Sequence, residues 1–149
     1  MDRKTLIGSF VTHSEEATIR LGRRLGKSIE PPQVILLFGN LGAGKTTLTK
    51  GIAQGLGFRK PYEVISPTFV IVNEYQGRAK IFHVDLFRLS SGRDLESVGL
   101  YEMMQQPVVT IIEWAEKLVD PPESALSINI QDLGEDNRKI RIEWIGRAL

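Results

Sequence analysis

The chain contains the stretch Gly39-Asn40-Leu41-Gly42-Ala43-Gly44-Lys45-Thr46, in which two glycines separated by four residues are followed by Lys and Thr. This is the pattern of a P-loop, which binds the phosphates of a nucleotide. The residues before it, 33–38, form a continuous apolar run, which predicts a strand buried on both faces. After it, Leu48, Ile52 and Leu56 recur every four residues, which predicts a helix that ends at Gly57. Strand, glycine loop and helix therefore follow one another in the order that a P-loop requires.

The residue types in this loop suit phosphate chemistry. Gly39, Gly42 and Gly44 allow the backbone to curl so that successive N–H groups point at phosphate oxygens. The start of the following helix adds free N–H donors and the positive end of the helix dipole. We expect Lys45 to contact the β- and γ-phosphates and Thr46 to offer its hydroxyl to Mg²⁺. The alternative is a glycine-rich turn that matches by chance, and the strand and helix on either side argue against it.

The composition is that of one soluble globular domain, which we place at 1–149. Hydrophobic residues make up 42% of the chain and charged residues 25%, and the net charge is +1. That charge gives no global argument for binding nucleic acid or an anionic membrane. The absence of cysteine excludes disulfides and thiolate metal sites and favours a cytoplasmic protein. No apolar run approaches the ~20 residues of a membrane helix, so we expect no membrane association.

The rest of the sequence predicts an α/β fold. A helix is expected from the N-cap Ser14 to Pro31-Pro32, and a second buried strand over 108–112. The other predicted elements are a short edge strand within 6–11, a hairpin of strands 69–75 and 79–84, short helices at 94–98, 99–105 and 114–119, and final strands 125–131 and 138–145 joined by a turn at 133–137. Helical crossovers indicate a parallel centre and the two hairpins antiparallel edges, so the sheet is predicted to be mixed.

The first predicted helix has two unlike sides. Ala17, Leu21, Leu25 and Ile29 form an apolar stripe. The opposite side carries a basic stripe, Arg20, Arg23, Arg24 and Lys27. A solvated helix face explains the basic stripe more simply than a docking surface for an acidic partner or RNA, which we keep as the alternative.

Two carboxylates follow apolar runs that are expected to be neighbouring strands. Glu113 ends the run 108–112, and Asp85 ends the run 81–84. Both are expected at the carboxyl edge of the sheet, where ligands of α/β proteins bind. We assign Glu113 to Mg²⁺, directly or through water, and Asp85 to the attacking water or the hydration shell of the ion. For Asp85 the alternative is a loop-capping acid.

Four other polar residues have weaker signals. Thr68 follows the stiff Ser66-Pro67 and is a candidate γ-phosphate sensor, although spacing alone favours an ordinary strand entry. His83 is expected on the same strand face as Asp85, and a packed, hydrogen-bonded histidine is favoured over a general base. Arg88 and Arg93 are candidates for stabilising transition-state charge, against the default of surface arginines.

Together these motifs resemble the TsaE family, the small bacterial ATPases of tRNA threonylcarbamoyladenosine (t6A) biosynthesis. The resemblance covers nearly the whole chain and rests on four motifs in order, 39–47, 66–69, 83–88 and 112–114. Two departures stand out: the family usually has Asp where this chain has Asn40, and Tyr where it has Phe87. Asn40 is still polar, so phosphate binding should survive, whereas Phe87 lacks the hydroxyl that a hydrogen bond from that position would need.

The resemblance implies a P-loop NTPase-like three-layer fold that binds ATP and Mg²⁺. It implies partners too, the two other proteins of the bacterial t6A complex, TsaB and TsaD, with tRNA engaged indirectly through them. ATP hydrolysis would reset the complex that modifies adenosine 37. The residues implied at the site are the nucleotide-binding set Gly39, Asn40, Leu41, Gly42, Ala43, Gly44, Lys45, Thr46, Thr47, Glu15, Glu116 and Arg138, the metal ligands Thr46 and Glu113, and the catalytic set Asp85, Glu113, Lys45 and Thr68.

Three other functions stay open on sequence alone. A small-molecule kinase would need an acceptor pocket and an Arg-rich lid, and we identify neither in the sequence. A GTPase switch normally reads its base with Asn-Lys-x-Asp, and the nearest match, Asn129-Ile130-Gln131-Asp132, lacks the Lys. A non-catalytic module would use ATP binding alone to control assembly.

Overall fold

The computed structural model describes residues 6–40, 42–65, 72–87, 99–118, 120 and 122–146. Three helices are described, α1 (Glu15–Ser28), α2 (Lys45–Gly55) and α3 (Leu100–Met104), with single 3₁₀ turns at Pro61–Glu63 and Ala115–Lys117. The strands are β1 (Gly8–Thr12), β2 (Gln33–Phe38), β3 (Val72–Gln76), β4 (Lys80–Asp85), β5 (Val109–Glu113), β6 (Ser124–Gly134) and β7 (Asn137–Gly146).

These strands form one mixed sheet in the order β1-β7-β6-β2-β5-β4-β3. At its centre β2 runs parallel to both β5 and β6, and β4 runs parallel to β5. The outer pairs, β3 with β4, β6 with β7 and β7 with β1, are antiparallel. The predicted parallel centre with antiparallel edge hairpins is confirmed.

The central strand β2 is buried on both faces, as its apolar run predicts. Ile35 and Leu37 point into a core shared with α1 and α2. Val34 and Leu36 point into a second core on the opposite face, where Leu100 of α3 packs. Alternate side chains of one strand therefore serve two helical layers, and the three-layer arrangement is confirmed.

The start of α1 follows its capping signal. The Ser14 side chain accepts a hydrogen bond of 3.0 Å from the Ala17 N–H, and Glu15 and Glu16 occupy the first turn. In the basic stripe, Arg20, Arg24 and Lys27 are exposed. Arg23 departs from the predicted solvated face, since its Nε donates to Gln54 Oε1 at 3.2 Å and so ties α1 to α2.

Glycines bring α1 and α2 into backbone contact. Gly22 and Gly26 of α1 face Gly51 and Gly55 of α2, one helical turn apart in each helix. A Cβ at any of these positions would lie between 2.2 and 2.5 Å from a backbone oxygen of the other helix, for example 2.2 Å from Ile52 O at Gly26. Side chains larger than hydrogen are therefore excluded from the crossing, which fixes α1 against the helix that follows the P-loop.

We expect Gly26→Ala to lower the free energy of unfolding by about 2 kcal/mol. Alanine normally stabilises a helix interior by about 1 kcal/mol relative to glycine, but overpacking against a backbone oxygen costs about 3 kcal/mol. Urea unfolding measures the difference, with Lys27→Ala at the neighbouring exposed position as the control. A Gly26→Ala protein as stable as the wild type would contradict the close crossing.

The last hairpin differs from its predicted boundaries. The expected five-residue turn at 133–137 is wrong, because β6 continues to Gly134 and β7 begins at Asn137. The turn contains only Glu135 and Asp136, whose φ angles are 53° and 65°. Two left-handed residues give the strand twist that a two-residue hairpin requires, so pairing continues closer to the turn than composition indicates.

The helix predicted at 114–119 is also wrong. Trp114 has φ 59° and ψ 43°, in the left-handed region, and only one 3₁₀ turn follows, Ala115–Lys117. A left-handed residue directly after β5 interrupts the backbone geometry that a helix start needs, and the few residues before the prolines are too few to nucleate a helix. The predicted helix at 94–98 and the first part of the strand 69–75 lie outside the described residues.

Candidate functional site

The P-loop connects the end of β2 to the start of α2. Its three glycines all have positive φ, 155° at Gly39, 81° at Gly42 and 107° at Gly44. A Cβ at Gly39 would lie 2.7 Å from Ile130 O, so this position also needs a residue without a side chain. The loop therefore leads the backbone into the N-terminus of α2, an 11-residue helix that begins at Lys45.

Lys45 lies beneath this loop with only 5% of its surface exposed. Its Nζ donates to the carbonyl of Gly39 at 2.5 Å and to that of Asn40 at 3.2 Å. It also lies 3.9 Å from the centre of the Trp114 ring. Burial lowers the pKa of Lys45, and the nearby carboxylates of Glu113, Glu116 and Asp85 act in the opposite direction. The Lys45 side chain is thus held at the loop by neutral carbonyls and a ring face, which are weaker partners than phosphate oxygens.

Glu113 and Asp85 lie side by side at the carboxyl ends of β5 and β4, where the strand register pairs them directly. Glu113 is 2% exposed, and both of its carboxylate oxygens lie near the Thr46 hydroxyl, which donates to them at 3.1 and 3.3 Å. Its other partner is His83, whose Nε2 lies 2.5 Å from Oε2. The expected meeting of the two acids at one sheet edge is confirmed, and so is the packed, hydrogen-bonded state of His83.

Asp85 is half-buried, and its Oδ1 accepts a hydrogen bond of 2.8 Å from the Phe87 N–H. Burial raises the pKa of Asp85, the hydrogen bond from Phe87 lowers it, and the charge of Glu113 raises it further. The carboxylate is therefore held in the site although its surroundings disfavour its charge.

A small open pocket lies beside the P-loop, next to Gly44 and Thr47. It is lined by Glu15, Thr18, Gly44, Thr47, Asp136 and Arg138. Arg138 supports the loop itself, since its Nε donates to Ala43 O at 2.8 Å, and its Nη1 is paired with Asp132 Oδ1 at 3.0 Å. The structure thus brings Glu15, Thr47 and Arg138 together, while Glu116 lies on the Lys45 side. Leu41, Thr68, Arg88 and Arg93 lie outside the described residues.

The donor set suits Mg²⁺. Thr46 and Glu113 offer a hydroxyl oxygen and carboxylate oxygens beside a phosphate-type loop, and Mg²⁺ is usually bound by one or two protein oxygens together with substrate phosphates. Within the described ranges, no three His, Cys, Asp or Glu side chains are grouped so that they alone could hold a metal ion. A metal here would therefore depend on the nucleotide for part of its coordination.

The family model described as "Threonylcarbamoyl adenosine biosynthesis protein TsaE" matches residues 12–140. The chain belongs to the TsaE family. A TsaE protein of Treponema pallidum is 37% identical over 133 residues, covering 89% of this chain and 97% of that protein. One of Bacillus subtilis is 36% identical over 137 residues, covering 91% and 84%.

A solved structure agrees with the sequence comparisons. The crystal structure of Bacillus subtilis YdiB superimposes with a TM-score of 0.72 at 32% identity, covering 93% of this chain and 85% of that one. This TsaE chain therefore shares the P-loop-like fold and belongs to a family named for t6A biosynthesis. Among the helices described here, none has the length and apolar character needed to cross a membrane.

The structure shows what Asn40 and Phe87, the two residues expected to depart from the family motifs, contact. The described contacts of Asn40 at the loop are made by its backbone carbonyl, which accepts from Ala43 N and from Lys45 Nζ. The Phe87 ring packs against the Trp114 ring, with centroids 4.8 Å apart. Asn40 thus takes part in the loop's backbone hydrogen bonds, and Phe87 makes an apolar contact in this TsaE chain.

Three residues of the candidate site were not predicted from the sequence. Trp114 covers the Lys45 ammonium, and its position directly after Glu113 was the available signal. Thr18 and Asp136 line the open pocket, one a turn after the N-cap and the other in the last hairpin. No local pattern links those two, because the sheet and α1 bring them together from opposite ends of the chain.

We expect Asp85→Asn to be more stable than the wild type near neutral pH. The folded pKa of Asp85 lies above its ordinary value of 3.8, so ionisation is easier in the unfolded chain and the charge destabilises the fold above the folded pKa. Asn keeps the Oδ1 that accepts from Phe87 N. Urea unfolding at about pH 7.5 should show the gain, and the gain should shrink as the pH falls through the folded pKa towards 3.8. The exposed Asp120→Asn is the control. Equal stability of Asp85→Asn and wild type at neutral pH would contradict the raised pKa of Asp85.

Proposed function

We propose that this TsaE-family chain is an Mg²⁺-dependent ATPase whose hydrolysis drives turnover of the complex that forms t6A at position 37 of tRNA. The observation that carries the proposal is the convergence of Lys45, Thr46 and Glu113 at one P-loop. The arrangement of these side chains supports nucleotide and Mg²⁺ binding, and membership of the TsaE family supports a role in t6A biosynthesis.

The described residues would bind the two ends of the nucleotide separately. Lys45 and the loop N–H groups would bind phosphates, because a cation and a helix N-terminus both stabilise negative charge there. The residues that would hold Mg²⁺ are Thr46 and Glu113, and the ion would supply neutralisation of charge developing on the phosphates. On the other side, Glu15, Thr47 and Arg138 would bind the nucleoside portion, with Glu116 near the phosphates.

Asp85 is the proposed positioning group for the attacking water. It lies beside Glu113 in the paired strands and close enough to Lys45 for their charges to interact. The Thr46 hydroxyl already donates its hydrogen bond to Glu113. Asp85 can therefore accept a hydrogen bond from water without competing for that donor. Thr68 is proposed as part of the same reaction on the family resemblance alone.

The proposed partners are TsaB and TsaD, with tRNA reached through them. The test is a reconstitution with TsaB, TsaD, a substrate tRNA and a threonylcarbamoyl donor, in which t6A is counted per complex. We expect about one modification per complex without this chain, and repeated modification when the chain and Mg-ATP are both present. Equal numbers with and without the chain would overturn the proposed role in turnover.

A kinase or a GTPase switch remains the alternative, and direct assays separate them from the proposal. With γ-labelled ATP, a labelled small molecule would indicate a kinase, whereas free labelled phosphate supports hydrolysis. Displacement of bound ATP by an equal concentration of GTP would indicate a switch that does not select adenine.

A further inference from the structure

A buried chain of hydrogen bonds runs from the carboxylate of Glu113 into the sheet. His83 Nε2 lies 2.5 Å from Glu113 Oε2, and His83 Nδ1 lies 3.0 Å from the Tyr75 hydroxyl. The exposed fractions of Glu113, His83 and Tyr75 are 2%, 0% and 7%. Three polar side chains from β5, β4 and β3 thus meet without access to bulk water, on the sheet face that α2 covers.

The partners of the ring set its protonation pattern. A carboxylate is an acceptor, so the contact with Glu113 requires a proton on His83 Nε2. In a neutral ring Nδ1 is then an acceptor. The Tyr75 hydroxyl has two acceptors within reach, His83 Nδ1 at 3.0 Å and the Ile65 carbonyl at 3.5 Å, and the shorter contact assigns its proton to His83. Tyr75 therefore holds the ring in the orientation and tautomer in which Nε2 faces Glu113.

Glu113 would be poorly fixed without this donor. Its only other described hydrogen-bond partner is Thr46, whose hydroxyl belongs to the same candidate metal site. A buried carboxylate with one partner is costly and is free to rotate about its last torsion. In metal sites, groups behind the ligands orient them, and loss of such a group typically weakens metal binding 10–100-fold.

We propose that His83 is a positioning residue that holds the Glu113 carboxylate for Mg²⁺, and that Tyr75 in turn holds His83. The proposal rests on the proposed function, because it concerns the metal of that same site. It assigns to His83 neither a metal contact nor proton transfer. Its role is exerted through the hydrogen bond to Glu113.

Two substitutions of His83 test this proposal. Both introduce an amide side chain, so the two variants have similar polarity and differ in how far the amide reaches. In His83→Gln the amide nitrogen can occupy about the position of Nε2 and donate to Glu113. In His83→Asn the shorter side chain reaches only the Nδ1 position, so Glu113 loses its donor. The measured quantity is the ratio of ATP affinity with Mg²⁺ to ATP affinity in EDTA, with folding checked by circular dichroism and thermal unfolding.

We expect the ratio to fall about tenfold in His83→Asn and to stay within about threefold of the wild type in His83→Gln. Tyr75→Phe removes one oxygen atom and is expected to lower the ratio by about threefold, which provides a second variant if His83→Asn does not fold. A folded His83→Asn protein with the wild-type ratio would overturn the inference alone. A wild-type chain that binds no ATP under either condition would instead overturn the proposed function and, with it, the positioning role.

A second readout does not depend on nucleotide. The chain has two histidines, so ¹⁵N NMR of the ring nitrogens in wild type and in His13→Gln assigns the signals of His83. We expect His83 Nε2 to carry a proton. A pyridine-like Nε2 without a proton would overturn the hydrogen bond on which the inference depends.

Discussion

Replacement of Lys45 by methionine is expected to weaken ATP binding about 100-fold. Methionine keeps an unbranched apolar side chain under Trp114, so the change removes mainly the ammonium group. Hydrogen bonds to charged groups are worth about 1.5–3 kcal/mol each, and a loss of about 2.7 kcal/mol corresponds to about 100-fold in affinity. Equilibrium binding of ATP in the presence of Mg²⁺ measures the effect.

The control for this prediction is Lys50→Met. Lys50 lies in the same helix, is half-buried, and does not line the P-loop. It carries the same charge, so a general electrostatic effect on ATP would appear in both variants. Unchanged affinity in a folded Lys45→Met protein would mean that the phosphates bind elsewhere.

Replacement of Glu113 by glutamine is expected to lower Mg²⁺-dependent ATP hydrolysis at least about 100-fold while ATP binding in EDTA persists. Glutamine has nearly the same shape, and its Oε1 can still accept from Thr46 or His83. Glutamine lacks the negative charge with which a carboxylate binds Mg²⁺. A loss of about 3 kcal/mol of transition-state stabilisation corresponds to a rate decrease of at least about 100-fold.

Phosphate release under saturating ATP measures this second effect, and the exposed Glu123→Gln is the control. Hydrolysis by Glu113→Gln at the wild-type rate and with the wild-type Mg²⁺ dependence would remove Glu113 from the metal site. It would leave Asp85, its neighbour in the sheet, and Glu116 as the described acids whose charges act on Lys45.

Local sequence patterns were sufficient to predict the centre of the fold. β2, the glycine loop and α2 follow one another along the chain, and the loop's φ angles are those that glycine permits. The hairpins were found because each is built from neighbouring strands. The sequence also carried a signal that the prediction did not use, since Gly22 and Gly26 have the same spacing as Gly51 and Gly55.

Contacts between distant residues could not be predicted in the same way. Tyr75, His83 and Glu113 meet because β3, β4 and β5 pair in one register, and an apolar pattern does not specify which strands are neighbours. Trp114 covers Lys45 only because it adopts a left-handed conformation that is rare for its residue type. Arg138 reaches Ala43 across 95 residues of sequence, through the pairing of β7 with β6.

Hydrolysis of γ-labelled ATP by the purified chain with Mg²⁺, TsaB, TsaD and tRNA tests whether this chain is an ATPase. We expect labelled inorganic phosphate whose release requires Mg²⁺ and the Lys45 ammonium. No labelled phosphate, or label transferred to another molecule, would contradict it.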